Sequence, residues 1–102
     1  MKHGAAMSDA ALSAYWPDLG RVVEGLRRIG RGSVADALIE VVAAGCSSSE
    51  IIGGAGCLLH EHRALRAEID VAESAAWADV MKDYYRAFPG TRLRHWISAL
   101  FD

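Results

Sequence analysis

A chain of 102 residues is the size of one domain, long enough to close a hydrophobic core without disulfide or metal staples. Apolar residues at 52% and charged residues at 24% exclude a disordered chain. A net charge of −2, close to balanced between the two halves, speaks against a dedicated nucleic-acid binder, which carries a clear positive excess.

The apolar spacing is helical throughout, and nowhere do β-branched residues alternate with polar ones as in a half-buried strand. The expected fold is all-α, a compact bundle of five or six short helices. Ser8 caps a first helix to about Trp16. Pro17 suits the first turn of the next, where its missing N–H costs nothing. Leu19, Val22, Val23, Leu26 and Ile29 share one face of that second helix, and Gly30 or Gly32 ends it. Ser33-Val-Ala-Asp36 reads as a variant capping box for a third helix carrying Val34, Ala37, Leu38, Val41 and Val42, closed by Gly45. Ser47-Ser-Ser-Glu50 is a second box and opens a fourth helix, so residues 33 to 65 form a helical hairpin.

Gly53, Gly54 and Gly56 weaken the fourth helix by about 1 kcal/mol each. Gly53 and Gly56 share a face, where a neighbouring helix can come close. Either Asp70 or Ser74 starts a fifth helix, or the fourth runs on with a kink. Trp77, Val80, Met81, Tyr84, Tyr85 and Phe88 give this stretch a wide aromatic face, until Pro89-Gly90 stops it. A last helix from about Thr91 carries Leu93, Trp96, Ile97, Leu100 and Phe101 at i, i+3, i+4, i+7 and i+8. The predicted core centres on Leu26, Leu38, Val42, Leu59, Trp77, Val80, Trp96 and Ile97. The domain spans 1–102, with residues 1–7 read as a frayed leader.

Cys46 and Cys57 are too few for a disulfide framework, and their small, apolar sequence neighbours favour buried free thiols in a reducing compartment. Met1 to Leu12 lacks the apolar core of a secretory leader. The longest apolar run, Ile51 to Leu59, falls well short of the roughly twenty residues of a membrane span. The expected location is the cytoplasm, with no membrane partner.

No catalytic or metal-binding motif holds up. His60 and His62 are two apart, so on a helix they point about 200° apart, whereas a zinc-binding helix needs i, i+4 and position 64 is Ala. Gly53-Gly-Ala-Gly56 lacks the strand before it and the Lys-Ser/Thr after it that a phosphate loop requires. Gly45 followed by a serine-rich cap resembles the turn of a helix-turn-helix. From Gly32 to His62, however, there is no Lys, Arg, Asn or Gln to meet phosphates and base edges. No metal, cofactor, enzymatic activity or small-molecule ligand is expected.

What remains suits a protein partner. From Ala67 to Met81 there is no cation, while Glu68, Asp70, Glu73 and Asp79 are acidic and Asp83 follows, with Trp77, Tyr84 and Tyr85 interleaved. Aromatics flanked by acids combine anchors with electrostatic steering toward a basic surface. The predicted interface is Glu68, Asp70, Glu73, Asp79 and Asp83 with an exposed Tyr84 or Tyr85. The competing plain reading makes Trp77 and Tyr84 core and the acids a solvated face.

The segment from Ser33 to Leu59, in which an Ala-Leu-rich helix ends in Gly45 and Cys-Ser-Ser-Ser-Glu-Ile-Ile runs into the next, resembles a family. It is similar to small helical immunity proteins of bacterial contact-dependent growth inhibition and other polymorphic toxin systems. There the segment commonly reads Gly-Ser-Thr-Gly-Thr-Glu-Ile; here Cys46 replaces the first Ser and Ser47 to Ser49 the rest. The match covers about a quarter of the chain and its residues explain a helix cap. The resemblance implies a stoichiometric inhibitor that binds a cognate toxin's C-terminal domain, often a nuclease, and occludes its active site. The rival is a helical regulator that binds nucleic acid through Arg27, Arg28 and Arg31 or through Arg86, Arg92 and Arg94. An enzyme using His60 or His62 ranks last.

Overall fold

The computed structural model describes residues 7–101, as α1 (Asp9–Tyr15), α2 (Pro17–Arg28), α3 (Gly32–Ala44), α4 (Ser48–Glu61), a 3-10 segment (Arg63–Glu68), α5 (Val71–Ala87) and α6 (Thr91–Phe101). The fold is all-α, as the apolar spacing predicts. Helices α2, α3, α4 and α5 form a closed ring in which each packs on its two neighbours. Helix α1 lies against α2 and α3, and α6 has no extended packing on the other helices. Residues 1–6 of the predicted leader lie outside the described residues, whereas Met7 packs partly buried on the core. Among the described residues no helix is long and apolar enough to cross a membrane.

Local signals set most boundaries. The Ser8 hydroxyl accepts from the Ala11 N–H at 3.0 Å, and Pro17 occupies the first position of α2. Gly30, at φ +82°, closes α2 with its own N–H on the Arg27 carbonyl and the Arg31 N–H on the Leu26 carbonyl. This pair of bonds needs the left-handed backbone that glycine supplies. The turn brings Gly32 into helical geometry, so α3 starts one residue before Ser33 and the predicted box there does not form. Asp36 instead accepts from Arg27 at 2.9 Å.

Ser47 caps α4 by accepting from the Glu50 N–H at 3.2 Å, while the Glu50 carboxylate accepts from the Cys46 N–H at 2.8 Å, one residue off a standard box. The full box is at α5: Asp70 accepts from the Glu73 N–H at 2.8 Å and Glu73 from the Asp70 N–H at 3.0 Å. Of the three possibilities the sequence leaves open, Asp70 is the start. Helix α4 ends at Glu61, and the tighter 3-10 segment follows, leading to Leu65 and Ile69, both buried.

The core holds Leu12, Leu19, Val22, Val23, Leu26, Leu38 and Leu59, all without exposed surface, with Trp77 and Val80 of α5. At about 25 cal/mol per Å² of apolar area, this burial is the main stabilising term. The α4 glycines act as their spacing predicts. A Cβ on Gly56 would strike the Tyr84 ring, and one on Gly53 would come within 3.1 Å of Phe88, so α5 lays its aromatics on bare α4 backbone. Gly25 does the same for α2, where a Cβ would lie 2.7 Å from Cδ of Glu73.

Two predicted core residues are not in the core. Trp96 is 60% and Ile97 43% exposed, with Leu93 at 58% and Leu100 at 61%. Their helical spacing is sound, but among the described residues no other helix covers the face they share. Both cysteines are free, as expected, yet exposed rather than buried.

Candidate functional site

Two members of the predicted acidic interface, Glu73 and Tyr84, are buried rather than on the surface. Glu73 is only 6% exposed: it points into the α2–α5 seam, where the Arg28 guanidinium donates to its two oxygens at 2.5 and 2.7 Å. This pairing, against an opposing contribution from burial, holds the Glu73 carboxyl below its ordinary range. Asp70 is committed to the α5 cap. Glu68 is exposed at the end of the 3-10 segment. Asp79 is exposed and Asp83 half-buried on α5, four residues apart and so on a common face, with Asp83 3.6 Å from Arg86. Tyr84 is buried at 4%, against Gly56 and Phe88, with its hydroxyl 3.5 Å from the Cys57 thiol. Burial first, then Cys57, pushes that hydroxyl's pKa up. Tyr85 is half-buried and turned toward α6.

The arginine clusters of the rival reading are also partly spent. Arg27 donates to Asp9 at 2.6 Å and to Asp36 at 2.9 Å, and Arg28 is held by Glu73. A cation already matched to a fixed carboxylate offers little to a phosphate.

The structure assembles something else at the corner where α4, the 3-10 segment, α5 and α6 meet. His60 at the end of α4 stacks on His95 of α6, ring centroids 3.5 Å apart and planes within 14°. Tyr85 of α5 meets His95 Nδ1 through its hydroxyl at 3.3 Å, and the Arg92 guanidinium lies 5.1 Å from the Tyr85 ring centroid. These contacts and buried Thr91 hold the first turns of α6 to the body. Burial lowers the pKa of both histidines, reinforced by His95 and Arg63 for His60, and by Arg94 and Arg63 for His95. Both shifts favour the neutral rings, and so does the stack, since two charged rings at this distance would repel.

Two surfaces adjoin this corner. One is the α6 stripe of Leu93, Trp96, Ile97 and Leu100, exposed along the helix. The other is a cleft of about 450 Å³ floored by Leu59, Trp77 and Met81. Its rim carries Arg63, Arg66, Lys82 and Arg92. Sequence reasoning missed both. The α6 stripe has the same pattern as a core helix, and the cleft's cations come from three separate elements. The signal that could have found the cleft is weak: Lys82 and Arg92 stand one helical turn and one loop from Tyr85, and nothing local ties them to Arg63. The chain matches no family model, no curated protein and no solved structure.

Proposed function

We propose that this protein is a stoichiometric binding protein that docks the apolar stripe of α6 onto a protein partner, in the manner of an immunity protein occluding a toxin domain. The observation that supports the reading is a Trp-centred apolar helix face left largely exposed, on which no other helix packs extensively among the described residues. Clustered exposed apolar residues of this kind mark interaction surfaces, and tryptophan is the commonest anchor among them. The resemblance of residues 33–59 supplies the class of partner, a cognate toxin domain. Exposed Arg94 beside the stripe favours an acidic rim on that partner, the opposite sign from an interface built on Glu68, Asp79 and Asp83.

Co-expression with the C-terminal domain of a toxin encoded beside this chain tests the proposal. The expected result is a one-to-one complex that survives high salt and suppresses the toxin. Trp96→Ala should weaken it by about 30-fold or more while stability shifts by no more than about 0.5 kcal/mol. A complex indifferent to Trp96→Ala would remove α6 from the interface. Failure to bind or suppress any neighbouring toxin would remove the immunity role.

A further inference from the structure

We infer that the α4–α5–α6 cleft is a binding site for a small phosphate-bearing anion, gripped by Arg63, Arg66, Lys82 and Arg92. The inference is independent of the docking reading. Its first support is charge: the lining carries these four cations and no carboxylate. Among the described residues none of the four has a carboxylate partner, whereas Arg21, Arg27, Arg28 and Arg86 each do. Four like charges around one cavity repel one another, weakly because all four are exposed, and an anion of several charges bound among them turns that repulsion into attraction.

The second support is preorganisation. Arg63 donates to the His60 carbonyl at 3.0 Å, Arg66 donates through Nε to the Ser74 hydroxyl at 2.7 Å, and Arg92 rests over the Tyr85 ring. All three anchors are neutral. They restrain the guanidinium groups without cancelling their charge, which leaves further N–H donors on each for phosphate oxygens. The pKa of His60 is lowered first by burial and then by the neighbouring His95 and Arg63.

The third support is size and surroundings. About 450 Å³ lies within the usual range of small-ligand pockets. The floor of Leu59, Trp77 and Met81 is apolar, which strengthens charge interactions above it and gives an organic group somewhere to lie. A nucleic-acid strand fits less well. The net charge of −2 and the lack of a basic surface extending beyond the cleft's lining give a long phosphate backbone little to follow. A small anion needs only the four cations of the lining.

The test is titration of isotope-labelled protein with pyrophosphate and, separately, adenosine 5′-monophosphate, followed by NMR and calorimetry at physiological salt. Saturable shifts confined to the residues around the cleft are expected. Arg66→Gln and Lys82→Gln, both at exposed positions, should each weaken binding by about tenfold, whereas Arg31→Gln should leave it unchanged. Tighter binding of the nucleotide would assign the organic part to the apolar floor; equal binding would assign the grip to phosphate alone. No saturable shift at millimolar ligand, equal weakening by Arg31→Gln, or binding of a single-stranded oligonucleotide only would overturn the inference.

Discussion

The α2–α5 seam and the α4–α5–α6 corner treat arginine in opposite ways. In the seam, Arg28 reaches a carboxylate 45 residues away in sequence, and Glu73 spends its oxygens on both Arg28 and the Asp70 N–H. Gly25 lets that side chain in against the α2 backbone. At the corner, Arg63, Arg66 and Arg92 are held by a carbonyl, a hydroxyl and a ring, and their charges stay available. The same residue type closes one surface and opens the other. What decides is the partner: a carboxylate satisfies geometry and charge together, whereas a neutral acceptor satisfies geometry alone.

The comparison can be broken at the seam first. Leu26 of α2 has no exposed surface, so Leu26→Ala should cost about 3 kcal/mol in a denaturant titration. A cost as small as that of exposed Trp96 would mean that α2 is not central to the core. The next effect is smaller. Glu73→Ala removes half of the capping box and both acceptors of Arg28, for about 2 kcal/mol, moderated because Arg28 is half exposed to solvent. An unchanged unfolding midpoint would show the pair to be ornamental.

Acid should separate the regions with the smallest perturbation. His60 and His95 have depressed pKa values, so the detached state takes up protons first. Docking of α6 should weaken as pH falls below about 6.5, the ordinary histidine value. The Glu73 carboxyl is also depressed, but its contribution is fully present above the ordinary glutamate value of about 4.3 and is lost only as pH falls below it. Amide exchange should therefore rise in α6 while α2 and α5 stay protected, and the seam should open only in stronger acid. Simultaneous loss of protection in both regions would refute the ordering.

Much of the fold was legible because its determinants are local. Ser8, Pro17, Gly30, Ser47 and Pro89-Gly90 mark element ends through hydrogen bonds and steric limits that act within about four residues. The glycine pair Gly53 and Gly56 foretold a close helix neighbour, since a bare backbone stripe has no other structural use. The misleading signals were local too. Ser33 and Asp36 have the spacing of a box, but Gly32 was already helical and Arg27 captured the aspartate. Trp96 and Ile97 have the spacing of a core stripe, and spacing alone cannot say whether another helix lies opposite.

The sequence by itself determined an all-α chain, the chain order of its helices and most of their ends, because backbone sterics and hydrogen-bond satisfaction are settled within a turn or two. Only the tertiary structure decided which charges are neutralised, which apolar stripe stays bare and where a cationic cleft opens. Those outcomes depend on pairs such as Arg28 with Glu73 or His60 with His95, which lie tens of residues apart and meet only when the helices pack.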